Sequence, residues 1–314
     1  MRPRSSRSLL MLALLASAPA LADDGTTVTN ERVLTAGGNT LHVELVETTD
    51  PARIDELQRW LAEAAGATLT AFGRYPLADA TVRITQIDSD DDSPVPWGQT
   101  QRGDDVSVLL FVRRDAKLAE LREDWTAVHE LSHLFHPYLG REGRWLAEGL
   151  ASYYQNVLRA RAGLLTPEAA WRELDAGFAR GQREHSGMPL DGLGRRGTMR
   201  VYWAGAAFWL EADLALRREH HGSLDQVLSK YSSCCLRGTG EVAPEAFMAK
   251  LDELAGADVF LPAYRRYAQS REFPSLDAAY AALGIERGAD GLVYADRADA
   301  RKLRAAIMQP RAKP

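Results

Sequence analysis

The stretch Ala127–Pro137, "AVHELSHLFHP", sets three histidines and a glutamate into a segment that otherwise has the pattern of an amphipathic helix. On a helix, residues four apart lie about 40° from each other around the axis, so His129 and His133 project together. Two imidazoles on one face can fill two positions of a tetrahedral zinc. Glu130 leaves the helix at the next position, beside such a metal rather than on it. From there its carboxylate can take a proton from a water molecule. Alone, the pattern H-E-x-x-H arises by chance in on the order of one in a hundred chains of this length. A third ligand in the right context is needed.

The next helical segment supplies a candidate. In "GRWLAEGLASYY" (Gly143–Tyr154), Glu148 is flanked by Trp145, Leu146, Leu150 and Tyr153, which makes it a carboxylate on an apolar face. A lone buried glutamate is costly unless paired or bound to a metal; the alternative is a surface glutamate on the far side of that helix. Two histidines and one glutamate, with a fourth position open to water, form a catalytic rather than a closed structural zinc set. His136 lies seven residues from His129, roughly 10 Å along a helix axis, too far for both to reach one ion from a straight helix. Pro137 then ends the helix. His136 is therefore expected either behind a ligand or on the surface. His220 and His221 stand beside Arg217 and Arg218 at a helix end and are expected to be solvated.

The elements that must position these residues follow from periodicity and end signals. Val28–Thr48 is expected as a hairpin around "TAGGN", and Asp50 and Pro51 open a helix that runs to about Phe72. Ala80–Asp88 and Asp105–Val112 are strand-like. The acidic loop "DSDDDSP" between them lacks the glycine and the glutamate of a calcium loop and is expected to be solvated. Helices are expected over Leu118–His136, Arg144–Ala162, Pro167–Arg180, Val201–Glu219, Leu224–Tyr231, Pro244–Leu254 and Val259–Gln269. The fold class is α+β: a small sheet-plus-helix lobe followed by a mainly helical lobe.

At 314 residues the chain can bury a substantial core, and a net charge of −5 gives no electrostatic case for nucleic acid. Arg2, Arg4 and Arg7 precede the apolar run Leu9–Ala18, and Ala20 and Ala22 offer small residues before Asp23. This is the pattern of a signal peptide cleaved after Ala22, and it predicts a periplasmic or secreted protein. The run falls short of the ~20 residues that span a bilayer, so no membrane span is expected after cleavage. Cys234 and Cys235 are the only cysteines and are adjacent, so they are either two thiols or a local bond.

"HELSH", "WLAEGLASYY" and "VYWAGAAFWLEADLALRR" (Val201–Arg218), in that order, resemble the glycyl aminopeptidase family of gluzincin metallopeptidases. The wider superfamily also holds the leukotriene A4 hydrolase-like aminopeptidases. The similarity continues to about Ile285. It implies a thermolysin-like zinc-peptidase core, with zinc on His129, His133 and Glu148 and with Glu130 as general base. It also implies that Tyr202, three residues before Gly205, donates a hydrogen bond to the tetrahedral intermediate. Several features depart from the family pattern. Ala204 stands where a lysine is usual, and the large β-sandwich that normally precedes the core is reduced to Asp23–Thr48. No PDZ module is expected to follow the core. The strand that would carry the amine-binding carboxylate reads "WGQTQRGDDVSVLLF", with Gly98 but no glutamate; Asp104 and Asp105 would substitute only if their loop folded inward.

The expected organisation is a signal peptide over 1–22, a short β segment over 23–48, a catalytic domain over 49–285 and a C-terminal tail over 286–314. Within the catalytic domain, the sheet-containing part covers 49–117 and the helical part 118–285. The expected function is an exported zinc metallopeptidase with one Zn2+ per chain and peptide or protein substrates. Whether it is an aminopeptidase or an endopeptidase stays open. The alternative is an inactive zinc- and peptide-binding protein of the same fold; the presence of Glu130 argues against it.

Overall fold

The computed structural model describes residues 27–309, so the expected signal peptide lies outside the described residues. Strands β1 (Val28–Ala36) and β2 (Asn39–Val46) form an antiparallel hairpin. Helix α1 (Pro51–Phe72) then crosses over to β3 (Asp79–Ile87), which runs parallel to β2. Asp50 caps α1 by accepting from the Ala52 amide, with Pro51 at the first turn, where its missing N–H costs nothing. Strands β4 (Trp97–Arg102) and β5 (Val106–Arg113) complete a five-stranded sheet in the order β1-β2-β3-β5-β4. The N-terminal strands, expected as a separate segment, are thus part of the same sheet as β3 and β5. One face of the sheet alternates inward and is buried: Leu41, Val43 and Leu45, then Val82 and Ile84, then Val108, Leu110 and Val112. This period of two places every second side chain against the helices.

The helical part begins with α2 (Leu118–Glu123) and α3 (Thr126–Ser132), followed by a 3-10 turn over His133–Phe135. A single helix was expected over Leu118–His136. Asp124 interrupts it with extended backbone, and its carboxylate accepts from the Thr126 amide to restart the chain as α3. Helices α4 (Arg144–Arg161), α5 (Pro167–Gln182), α6 (Thr198–Glu219), α7 (Leu224–Cys234), α8 (Pro244–Ala255) and α9 (Phe260–Ala268) follow, near the expected bounds. Cys234 and Cys235 are joined as a disulfide.

Helices α4 and α6 meet at backbone contact. A Cβ on Gly149 would lie 2.3 Å from the carbonyl carbon of Gly205, and one on Gly205 would lie 2.0 Å from the Trp145 carbonyl oxygen. Only glycine fits on either side of this crossing.

The stretch expected as a tail is folded. Helix α10 (Asp277–Leu283), the small hairpin of β6 (Ile285–Gly288) and β7 (Gly291–Tyr294), and helix α11 (Ala298–Met308) close the chain. Ala300, Ile307 and Met308 of α11 are buried. Arg161, at the end of α4, is also fully buried. It donates to the Ile307 carbonyl at 2.7 Å and to Asp225 at 3.0 Å, and Asp225 also accepts from Tyr154. No helix among the described residues is long and apolar enough to cross a membrane.

Candidate metal centre

His129 and His133 leave α3 and its following turn on one face, and Glu148 faces them from the first turns of α4. Glu148 Oε2 stands 3.4 Å from His129 Nε2 and 3.6 Å from His133 Nε2, and the three donor atoms all lie within 4.8 Å of one another. The edges of a tetrahedron around zinc, with bonds of 2.0–2.1 Å, are about 3.3 Å. The spacing fits.

The hydrogen bonds behind the ligands decide what the three atoms present. His129 Nδ1 lies 2.7 Å from Gln155 Oε1, which can only accept, so the proton is on Nδ1 and Nε2 carries a lone pair. His136 Nδ1 lies 2.7 Å from the Pro137 carbonyl and must donate to it. Its Nε2 therefore accepts, at 2.9 Å, from His133 Nδ1, and His133 Nε2 is left with a lone pair as well. Glu148 Oε2 is buried and has no hydrogen-bond partner among the described residues; its 3.4 and 3.6 Å to the two imidazole Nε2 atoms are longer than a good hydrogen bond. Three unsatisfied lone pairs thus converge on one point. A buried acceptor left alone costs ~1–3 kcal/mol, and a cation would satisfy all three. Burial by itself would raise the Glu148 carboxyl, but the two imidazoles outweigh it and hold it well below the usual carboxylate range. Burial would also lower His129, but Glu148 and Glu130 outweigh that and raise it. The site attracts positive charge, as a proton or as a metal.

Glu130 is buried beside this point. Thr100 Oγ1, on β4, lies 3.0 Å from its Oε2 and 2.8 Å from its backbone carbonyl. Gly98 lets the strand lie this close, since a Cβ there would sit 2.7 Å from Glu130 Cγ. Arg102 continues the same face of β4. Its guanidinium donates to the carbonyls of His133, His136 and Gly238, and burial pushes its pKa down to about 10. The Tyr202 ring, on α6, stacks parallel to His129 with centroids 5.8 Å apart. Burial, then the nearby Glu148 carboxylate, raise its phenol well above the ordinary value, so it is a proton donor at neutral pH. Arg144, one helical turn before Glu148, lies over the Tyr202 ring at 5.6 Å. Its Nε is 3.5 Å from Glu148 Oε1.

All five residues singled out in the sequence come together here. His136 sits behind His133, one of its two expected places. His220 and His221 are exposed and remote. Asp104 and Asp105 are exposed in the β4–β5 turn, so neither folds inward. Sequence reasoning missed Arg144 and Gln155, and read Thr100 only as an uncharged hydrogen-bonding residue of its strand, not as the partner of Glu130. Arg144 and Gln155 stand four before and seven after Glu148, which is the spacing of one helix face.

The M61 glycyl aminopeptidase family model matches residues 135–190, the stretch that holds Glu148. An aminopeptidase N family protein from Idiomarina loihiensis superposes with a TM-score of 0.59 at 16% identity, over 82% of this chain and 49% of that one. The fold is that of the gluzincin aminopeptidases. A two-domain M1 zinc metallopeptidase mutant bound to L-arginine gives a TM-score of 0.50 at 21% identity, over 79% of this chain and 53% of that one. Aminopeptidase A from Legionella pneumophila, solved with aspartic acid, also gives 0.50, at 14% identity, over 77% of this chain and 28% of that one. The present chain therefore spans about half the length, or less, of the gluzincin structures it matches. No curated protein matches it in sequence.

Proposed function

We propose that the chain is an exported zinc-dependent peptidase that hydrolyses peptide bonds in peptide or protein substrates. One zinc per chain would be held by His129, His133 and Glu148. The observation that carries this is the convergence of three unpartnered lone pairs with the Glu130 carboxylate beside them. Zinc held there supplies Lewis-acid polarisation of a carbonyl and lowers the pKa of water toward about 7.

The chain's own residues do the rest. Glu130, fixed by Thr100, takes the proton of the attacking water on its carboxylate and later delivers it to the leaving amine. Tyr202 keeps its proton and donates a hydrogen bond to the developing oxyanion; one such donor is typically worth about 3–4 kcal/mol. Gln155 and His136 hold the imidazoles in the tautomer that leaves Nε2 free.

The test is metal content and turnover on purified protein. His129→Ala, His133→Ala and Glu148→Ala should each lose zinc by elemental analysis. Glu130→Gln should keep zinc and fold but lose turnover of a peptide library by several orders of magnitude, because an amide cannot take the proton. Full zinc in the Glu148 variant would remove that residue from the site, and undiminished turnover in Glu130→Gln would refute the mechanism.

A further inference from the structure

Beside the proposed zinc site stands a cation that the chemistry above does not use. Arg144 lies between the Tyr202 ring and Glu148 Oε1, the carboxylate oxygen turned away from the two imidazoles. Its side chain is 21% exposed, so it is neither sealed in the core nor free in solvent. Nη1 donates to the Gly194 carbonyl at 2.6 Å, which fixes the guanidinium in place. The Glu148 contact occupies little of its capacity, because 3.5 Å is beyond a good hydrogen bond. A guanidinium has five N–H donors. Among the described residues, Nη2 has no partner.

The two carboxylates at the site are already engaged, so a bound ammonium would find no free partner among them. The face of β4 that lies along α3 reads Gly98, Thr100, Arg102, with no carboxylate. Glu130 is tied to Thr100, and Glu148 faces the imidazoles. Arg141 packs against Gly194, and Arg195 and Arg196 follow it in the same loop, exposed. Glu142, also exposed, and Glu241, which packs against Gly140, are acidic groups beside them. A free α-amine brought here would meet a fixed positive charge, whereas a carboxylate would meet a planar fork that matches it.

We propose that Arg144 is a specificity-determining residue that selects, among the substrates of the peptidase proposed above, those carrying a carboxylate close to the scissile bond. The carboxylate is either an acidic side chain or a free C-terminus.

The experiment measures binding first, so that it does not depend on turnover. Zinc-loaded Glu130→Gln protein is titrated with fluorescent peptides in matched pairs, Glu against Gln and C-terminal acid against C-terminal amide. The charged member of at least one pair should bind ten-fold or more tightly, about 1.4 kcal/mol, and the pair that responds identifies the source of the carboxylate. Adding Arg144→Gln should reduce the ratio to within about two-fold, and Arg144→Lys should keep part of it. No preference in the parent, a preference that survives Arg144→Gln, or equal weakening of both members would each overturn the proposal; the last would make Arg144 a support for Glu148. The same pairs are then given to the active enzyme. A charge preference in binding with no peptide cleaved would remove the peptidase function and leave the carboxylate site standing.

Discussion

Gly149→Ala tests whether the α4–α6 crossing holds the site together. The added methyl would lie 2.3 Å from the Gly205 carbonyl carbon and 2.4 Å from its Cα, where carbon atoms normally stop at about 3.5 Å. Both atoms are backbone, so no side chain can swing away, and the helices must part by about 1 Å. Overpacking of this kind costs ~1–3 kcal/mol, and the upper end applies because backbone has to move. Alanine returns about 1 kcal/mol of helix propensity. The net expectation is a loss of about 2 kcal/mol, a Tm lower by about 4–8 °C for a domain of this size. The same displacement reaches the chemistry, because Glu148 is next to Gly149 on α4 and Tyr202 is three residues before Gly205 on α6. A misplacement of 1 Å can cost about a hundredfold in rate, so kcat/KM should fall by that order at temperatures well below the new Tm. Calorimetry and steady-state kinetics on one preparation check both halves. An unchanged Tm would refute the packing argument. A lowered Tm with undiminished kcat/KM would show that the crossing does not set the Glu148–Tyr202 geometry.

Three further expectations are simpler. Tyr202→Phe should keep its zinc and lower kcat by about a hundredfold or more with little change in KM, since it deletes a donor used only in the transition state; unchanged kinetics would make Tyr202 a packing aromatic. His136→Ala should still load zinc at saturation but bind it ~10–100-fold more weakly in a chelator competition, because His133 loses the acceptor that fixes its ring; unaltered affinity would refute that support. His42 bridges Glu31 and Asp79 across three strands, and its hydrogen bond to Glu31 leads the contacts that raise its pKa against burial. The raised folded value means that the stabilisation is complete below about pH 6.5 and fades as pH rises through the folded pKa. A third of the side chain is exposed, so the effect should stay well under 1 kcal/mol. Urea unfolding of His42→Gln should differ from the parent at pH 5.5 and converge with it at pH 8.5; a difference that grows with pH would contradict the assignment.

What could be read from the sequence was what depends on local spacing. His129, Glu130 and His133 declare themselves because four residues make about one helical turn, and Glu148 because its neighbours leave it a single face. The break at Asp124 was a nearer miss: an aspartate two residues ahead of a helix is an ordinary capping signal, but the apolar periodicity runs straight through it. Strand β4 escaped the pattern because its side chains alternate between exposed and half-buried without an apolar set. Its place came only from the family resemblance. The tautomers of His129 and His133 depend on Gln155 and Pro137, contacts that form only when α4 packs on α3 and the chain turns after His136. Helix α11 carries only three large apolar side chains, Leu303, Ile307 and Met308, and its burial depends on where Arg161 ends up.

That last contact bears on how the molecule opens. A helix at the end of a domain ordinarily frays first, and its amides exchange with solvent deuterium long before the core. Peeling α11 away would take the Ile307 carbonyl from Arg161, whose Nη2 already has no hydrogen-bond partner among the described residues. Stranding a charged donor in the interior costs ~1.5–3 kcal/mol or more, so opening the last turn exposes a defect at the buried end of α4. Exchange at the α11 amides is thereby coupled to the opening of α4, and the last helix belongs to the same cooperative unit as the helix that carries Glu148.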